Sequence, residues 1–326
     1  MKEKPMSLSQ IYAKGKSNLE KIGFKWAFPP ESKSGASVLE NRKILDSLFF
    51  VPKYFDPVPV ETNLNLFGVE LRTPAFCSPI SVVKPMKSSH LTEIALGVAR
   101  AGALMMLGIG GYKELQKTID TGAPVVKMVK PWRKTDLIYK KVRDAERRGC
   151  VAVGMDIDHF YGALRGTTIL RSDIFGPQDT DELRHLVSET KLPFIFKGIL
   201  SLTDAKKALQ LGASAIIVSN HGRSAIDFTL PSLMALPEIA EGFGQKMTVL
   251  IDTGFMTGND VLKALALGAK AVGFASAMLI AWAAGGASGV EIFVNQITAQ
   301  LRRSMAATGC PNLAAINRKI LRGPGA

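Results

Sequence analysis

The stretch Gln210-Leu211-Gly212-Ala213-Ser214-Ala215-Ile216-Ile217-Val218-Ser219-Asn220-His221-Gly222 holds one complete passage from helix to strand to cleft. Gly212 stands where a helix C-terminus needs a left-handed residue. Ala215 to Val218 are apolar, and three of the four are β-branched, so they read as a buried strand. Ser219, Asn220, His221 and Gly222 follow at once. A strand that ends this way hands polar groups to a site, and we place His221 at its centre. A histidine that merely completes a core hydrogen-bond network is the competing reading, and the rest of the chain decides between the two.

The same helix end recurs in Ala266-Leu267-Gly268-Ala269-Lys270-Ala271 and in Ala99-Arg100-Ala101-Gly102-Ala103, each just before an apolar run. Eight strands are expected: Ala75–Val82, Leu104–Ile109, Pro124–Val129, Val151–Asp156, Phe194–Ile199, Ala215–Ser219, Thr248–Asp252 and Ala271–Ala275. Between them lie segments of helical spacing, such as Leu91, Ile94, Ala95, Val98 and Ala99. Thr135-Asp136, Thr203-Asp204 and Asn259-Asp260 signal helix starts. Strands that are apolar on both faces and alternate with helices imply an α/β fold, and eight such units a closed (β/α)8 TIM barrel. The barrel is expected over residues 75–326, with residues 1–74 as an N-terminal helical appendage containing helices at Leu8 to Ile22 and Val38 to Leu45. All 326 residues are read as one domain, since α/β barrels reach this length.

Composition narrows the function classes. No apolar run approaches the roughly 18 residues of a membrane span, and the charged start Met1-Lys2-Glu3-Lys4 does not resemble a signal peptide, so a cytoplasmic protein is expected. The net charge of +13 comes from scattered basic residues without interleaved aromatics, which reads as solvated helix faces and not as a nucleic-acid surface. Cys77, Cys150 and Cys310 have no disulfide or metal-ligand spacing, and no metal is expected.

In such a barrel the chemistry comes from the C-terminal strand ends. Here they supply Ser78-Pro79-Ile80-Ser81, Gly108-Ile109-Gly110-Gly111, Lys127 and Lys130, Asp156 and Asp158, Lys197-Gly198, His221, Asp252-Thr253-Gly254 and Ala275-Ser276. Glycine with a helix start behind it, at the last two strands, suits a phosphate held by backbone N–H groups.

Phe196-Lys197-Gly198-Ile199-Leu200, Ser219-Asn220-His221-Gly222, the run from Asp252 and Gly254 through Gly258 to Gly268-Ala269, and Ala283-Ala284-Gly285-Gly286 resemble the FMN-dependent α-hydroxy acid dehydrogenase/oxidase family, which includes glycolate and lactate oxidases. The resemblance runs from Ser34-Gly35-Ala36 to Thr308-Gly309-Cys310. It implies FMN as cofactor, a small 2-hydroxy acid as substrate and a homo-oligomer, a tetramer in the family. His221 corresponds to the base, Asp156 to the carboxylate that orients it and Lys197 to the cation beside the flavin. Pro79, Ile80, Ser81, Gly108, Lys127, Lys197, Asp252, Thr253, Gly254, Met256, Ala275 and Ser276 fall along the cofactor.

The departures fall on recognition. Ser224 stands where the family has an arginine that grips the substrate carboxylate, with Arg223 one position early, and Arg165 lies near a second substrate arginine. Val129 and Glu31 or Ser32 stand at tyrosine positions, Lys127 at a glutamine, and Met256 and Ser276 at the two phosphate arginines. Two alternatives remain open at this stage: an FMN barrel of another reaction class, such as an isomerase or a peptide- or cofactor-maturing oxidoreductase, and a non-catalytic binding barrel.

Overall fold

The computed structural model describes residues 5–24, 35–55, 57–81, 86, 89–165, 168–170, 173–222 and 224–323. Eight parallel strands close into a barrel in sequence order: β1 Ala75–Ile80, β2 Leu104–Leu107, β3 Val125–Val129, β4 Ala152–Asp156, β5 Phe194–Ile199, β6 Ala215–Val218, β7 Thr248–Asp252 and β8 Ala271–Phe274. β8 closes the ring against β1. The strands are thus those expected, shortened by one or two residues at some starts and ends.

Helices cover the outside: α3 His90–Ala101, α4 Tyr112–Ile119, α5 Thr135–Arg147, α6 Thr180–Ser188, α7 Leu202–Gln210, α8 Ser232–Phe243, α9 Gly258–Ala266 and α10 Ser276–Ala307, preceded by α1 Leu8–Lys21 and α2 Ala36–Asp46. Their starts are capped locally. Ser201 caps α7 by accepting from the Asp204 N–H, and Thr257 with Asp260 makes a capping box on α9. Their ends follow the repeated glycines: Gly102, Gly212 and Gly268 sit at φ +69°, +90° and +103°, a region that a side chain enters only under strain.

Alternate side chains of each strand face inward. Leu104, Met106, Val126, Met128, Ala152, Ile195, Ala215, Ile217, Leu250 and Ala271 fill the barrel, and a hairpin of Leu64–Leu66 and Val69–Leu71 plugs its lower end with Leu64, Leu66 and Leu71. This hairpin belongs to the segment read only as a helical appendage. Its apolar side chains close the end opposite the polar strand termini, so the barrel opens on one side.

α10 is long and apolar enough to cross a membrane by length and composition. It is, however, broken at Gly285 and Gly286, whose backbone is non-helical, and it packs on α1 and α3 with Met278, Val290, Phe293 and Ile297 buried. The apolar character serves the protein core. One contiguous apolar run was the wrong measure for it, because the buried face of a helix repeats every three or four residues.

Candidate active site

The inward-facing columns that are apolar inside the barrel turn polar at the mouth. Two residues beyond Met128 stands Lys130, two beyond Gly154 Asp156, two beyond Ile195 Lys197, two beyond Ile217 Ser219 and two beyond Leu250 Asp252, and all five are buried. Ionised groups removed from water persist only when paired. Lys130 Nζ lies 2.8 Å from Asp156, while Lys197 Nζ lies 3.5 Å from Asp252 and 3.7 Å from Asp156 and donates to Ser219 Oγ at 2.9 Å. Asp252 also accepts from Ser78 Oγ at 3.0 Å. Burial pushes the Lys197 ammonium toward deprotonation, but Asp252 and Asp156 outweigh it and hold its pKa above the ordinary lysine value. Burial likewise raises the Asp156 carboxyl, and Lys130 and Lys197 bring it below the usual carboxylate range.

His221 follows β6 with φ +54°, a left-handed conformation that costs a non-glycine residue about 1–3 kcal/mol. The turn is held by its neighbours. Ser219 Oγ accepts from the His221 N–H at 3.1 Å, and Asn220 exchanges hydrogen bonds with Asn41 of α2 at 2.9 and 3.2 Å. The ring's Nδ1 lies 2.9 Å from Asp158 Oδ2. The Lys197 ammonium lies farther from the same nitrogen, at 3.2 Å; with its shorter contact to a carboxylate, which can only accept, Nδ1 carries the proton and the neutral ring keeps its lone pair on Nε2. Burial raises the Asp158 carboxyl, and the adjacent His221 overrides this and holds it far below the usual range.

The carboxylate on His221 is therefore Asp158, and the expectation of Asp156 is corrected. Asp156 ends β4 and points into the barrel at the two lysines. Asp158 lies one turn further, in the 3-10 turn Ile157–His159, and folds back over β5. Gly198 makes this possible: at φ +101° in a register irregularity of β5, it leaves the space where a Cβ would stand 2.7 Å from the Asp158 side chain.

Lys127 is also corrected. Val126 and Met128 face the barrel interior whereas Val125 and Val129 face the helices, so Lys127 points outward, with its ammonium on the Gly108 carbonyl and near Lys141 and Glu114. Lys130 occupies the mouth instead, and Val129 is part of the outer core. Burial first, then the Lys141 charge, brings Lys127 down to about 7. In the window from pH 7 to about 10 the unfolded chain binds a proton that the folded chain has released, so this group makes stability rise with pH there, while below pH 7 the buried ammonium is a full penalty. Lys127→Met is thus expected to raise Tm at pH 6 by roughly 2–8 °C, with the advantage shrinking toward pH 10. Thermal melts across that range check it, and a pH-independent difference would contradict it.

At the β7 and β8 ends, Thr253 and Gly254 both lie at positive φ, +85° and +87°. Met256 does not offer its amide to a ligand: the N–H groups of Met256 and Thr257 donate to Asp260 at 2.9 and 3.0 Å, that of Gly258 to Gln300 at 3.0 Å, and the Met256 carbonyl accepts from Tyr12. Arg42 of α2 reaches this corner, 3.3 Å from the Gly254 carbonyl, but its guanidinium is held by Asp260 and Asp46. α10, by contrast, starts at Ser276 behind Ala275 with no side-chain cap, so its first-turn N–H groups and positive dipole end face the barrel mouth. This donor set suits a phosphate, and the buried Lys197 suits the anionic edge of a reduced flavin; the residues present fit FMN.

On the β1 side, Pro79 and Ile80 accompany a register irregularity, as a residue without N–H requires, and Ser81 Oγ is engaged by the Ile109 N–H at 2.8 Å. An added Cβ at Gly108 would meet that Oγ at 2.6 Å. Of the expected recognition residues, Ser224 donates its N–H to the His221 carbonyl at 3.2 Å and closes the turn. Arg223, the Arg165 side chain, and Glu31 and Ser32 lie outside the described residues.

Sequence reasoning missed His159. It is buried, its Nδ1 contacts the Lys130 ammonium, and its ring stacks on His221 with centroids 4.2 Å apart and planes 32° apart. Asp158, one residue before His159, was already among the strand-end residues, so the signal for His159 was its adjacency to that carboxylate. Asp158, His159 and His221 gather possible ligand atoms within 4.8 Å.

A family model described as FMN-dependent dehydrogenase matches residues 25–172 and 164–323. Glycolate oxidase 3 of Arabidopsis thaliana is 26% identical over 320 residues, covering 87% of each chain. The 4-hydroxymandelate oxidase of Amycolatopsis orientalis is 27% identical over 327 residues, covering 87% of this chain and 89% of that one. Among solved structures, a mandelate oxidase variant with the monooxide FMN adduct superposes with a TM-score of 0.84 at 27% identity, covering 94% of this chain and 98% of that chain.

Proposed function

Because the chain belongs to the FMN-dependent dehydrogenase family, we propose that it oxidises a small 2-hydroxy acid to the 2-oxo acid, with His221 as the base. The observation that carries this reading is the His221 Nδ1 contact to Asp158 beside the buried Lys197. FMN, when bound, supplies the hydride acceptor.

His221 Nε2, left unprotonated by the Asp158 contact, takes the substrate hydroxyl proton as the α-hydrogen departs with its electron pair. Asp158 then faces an imidazolium and stabilises it. Lys197 offsets negative charge on the cofactor, and the uncapped α10 start holds the phosphate by backbone donors where the family has arginines. The binding-barrel alternative is disfavoured, because a purely structural ring has no need for a histidine held in a strained left-handed turn against a carboxylate. The reading extends to a homo-oligomer, for which the family resemblance is the support.

The test is to load purified protein with FMN and mix it anaerobically with glycolate, lactate and (S)-mandelate while following bleaching of the flavin band. Saturable bleaching by at least one of them is expected. A flavin that stays oxidised with every 2-hydroxy acid would refute the reading.

A further inference from the structure

The mechanism above makes no use of His159, a buried group at the mouth. His159 lies against the His221 ring, and its Nε2 is buried and has no hydrogen-bond partner among the described residues. The other ring nitrogen settles its tautomer. Lys130 is an ammonium paired with Asp156 and can only donate, so Nδ1 of His159 accepts and the neutral ring must carry its proton on Nε2. Burial first, then the Lys130 charge, keeps that ring neutral, well below the ordinary histidine pKa. The result is an N–H donor, polarised from behind by a lysine, buried without an acceptor.

A buried donor left unmade costs about 1–3 kcal/mol, and such groups concentrate where a ligand completes them. The stack fixes where this one would be completed. With centroids 4.2 Å apart, a ligand of His159 lies beside the His221 ring. In a 2-hydroxy acid the hydroxyl and the carboxylate sit on adjacent carbons, so a base and a carboxylate donor must be neighbours in this way.

We propose that His159 is a substrate-binding residue whose Nε2–H donates to a carboxylate oxygen of the 2-hydroxy acid, with Lys130 as the positioning residue that fixes its tautomer. The assignment rests on the proposed function and supplies a recognition element at a mouth where Ser224 stands at the position of the family's arginine.

The test uses oxalate, an unreactive carboxylate probe, titrated into the FMN holoenzyme with the flavin spectrum as readout. His159→Phe, which keeps an aromatic ring and loses the donor, is expected to weaken oxalate roughly 10- to 100-fold. His159→Gln, which retains a donor, should recover most of the loss. In the wild-type protein, 15N spectra of labelled histidine should show a neutral Nε2-protonated ring whose Nε2 signal moves when oxalate is added. An unchanged Kd in His159→Phe, no oxalate binding by the wild type, or an unmoved Nε2 signal would each overturn the proposal. Should oxalate follow the expected pattern while no 2-hydroxy acid bleaches the flavin, the carboxylate donor stands and the oxidase reading fails.

Discussion

His221→Ala is expected to slow anaerobic flavin reduction by a saturating 2-hydroxy acid by roughly 10²–10⁴-fold, the range in which a positioned general base contributes. FMN affinity should change little, because His221 makes its polar contacts to Asp158 and the strand ends. Asp158→Asn should cost much of the same factor, since an amide that can turn its NH2 toward Nδ1 favours the wrong tautomer. The two losses should be far from additive in the double variant, because both residues act through one imidazole. Asp156→Asn separates the two aspartates. It leaves the His221–Asp158 contact in place and unbalances Lys130 and Lys197, so it should lower Tm more than it slows reduction. Stopped-flow reduction beside thermal melts reads both, and full reduction rates in Asp158→Asn would return the orienting role to another group.

Lys197→Met is expected to be the most damaging change in the ring for stability and cofactor binding together. It leaves Asp156 with one cation and Asp252 with none, both out of water. Breaking a buried pair on one side costs about 3–5 kcal/mol, or roughly 6–20 °C in Tm at this size. FMN binding and flavin reduction should fall as well, since the charge that offsets the reduced cofactor is gone. Adding Asp252→Asn to Lys197→Met should restore part of the melting temperature, by removing the stranded carboxylate, and none of the reduction rate. Recovery of both together would mean that Lys197 is only an ion-pair partner.

The barrel was legible because its signals are local. Apolar runs such as Ala215–Val218, the glycines that end α3, α7 and α9, and the polar residues after each strand all depend on neighbours within a few residues. They sufficed to put His221, Lys197 and Asp252 at one mouth, since every parallel strand of a barrel ends on the same side.

What the sequence could not determine is which way each strand-end side chain faces and what it meets across the ring. Side chains alternate with a period of two, so a shift of one residue exchanges inside for outside. That is why Lys127 reads as a cofactor contact but faces α4 and α5, while Lys130 stands at the mouth. The partner of His221 was hidden for a second reason. Asp158 lies beyond the end of β4, and its contact across the barrel exists only because β5 is irregular at Gly198 and has no Cβ in the way. The unsatisfied His159 Nε2 is likewise a property of three segments, β3, the turn after β4 and the turn after β6. Local pattern selects the fold because each strand buries itself by its own composition; the site is decided by register between strands distant in the chain, which no single strand encodes.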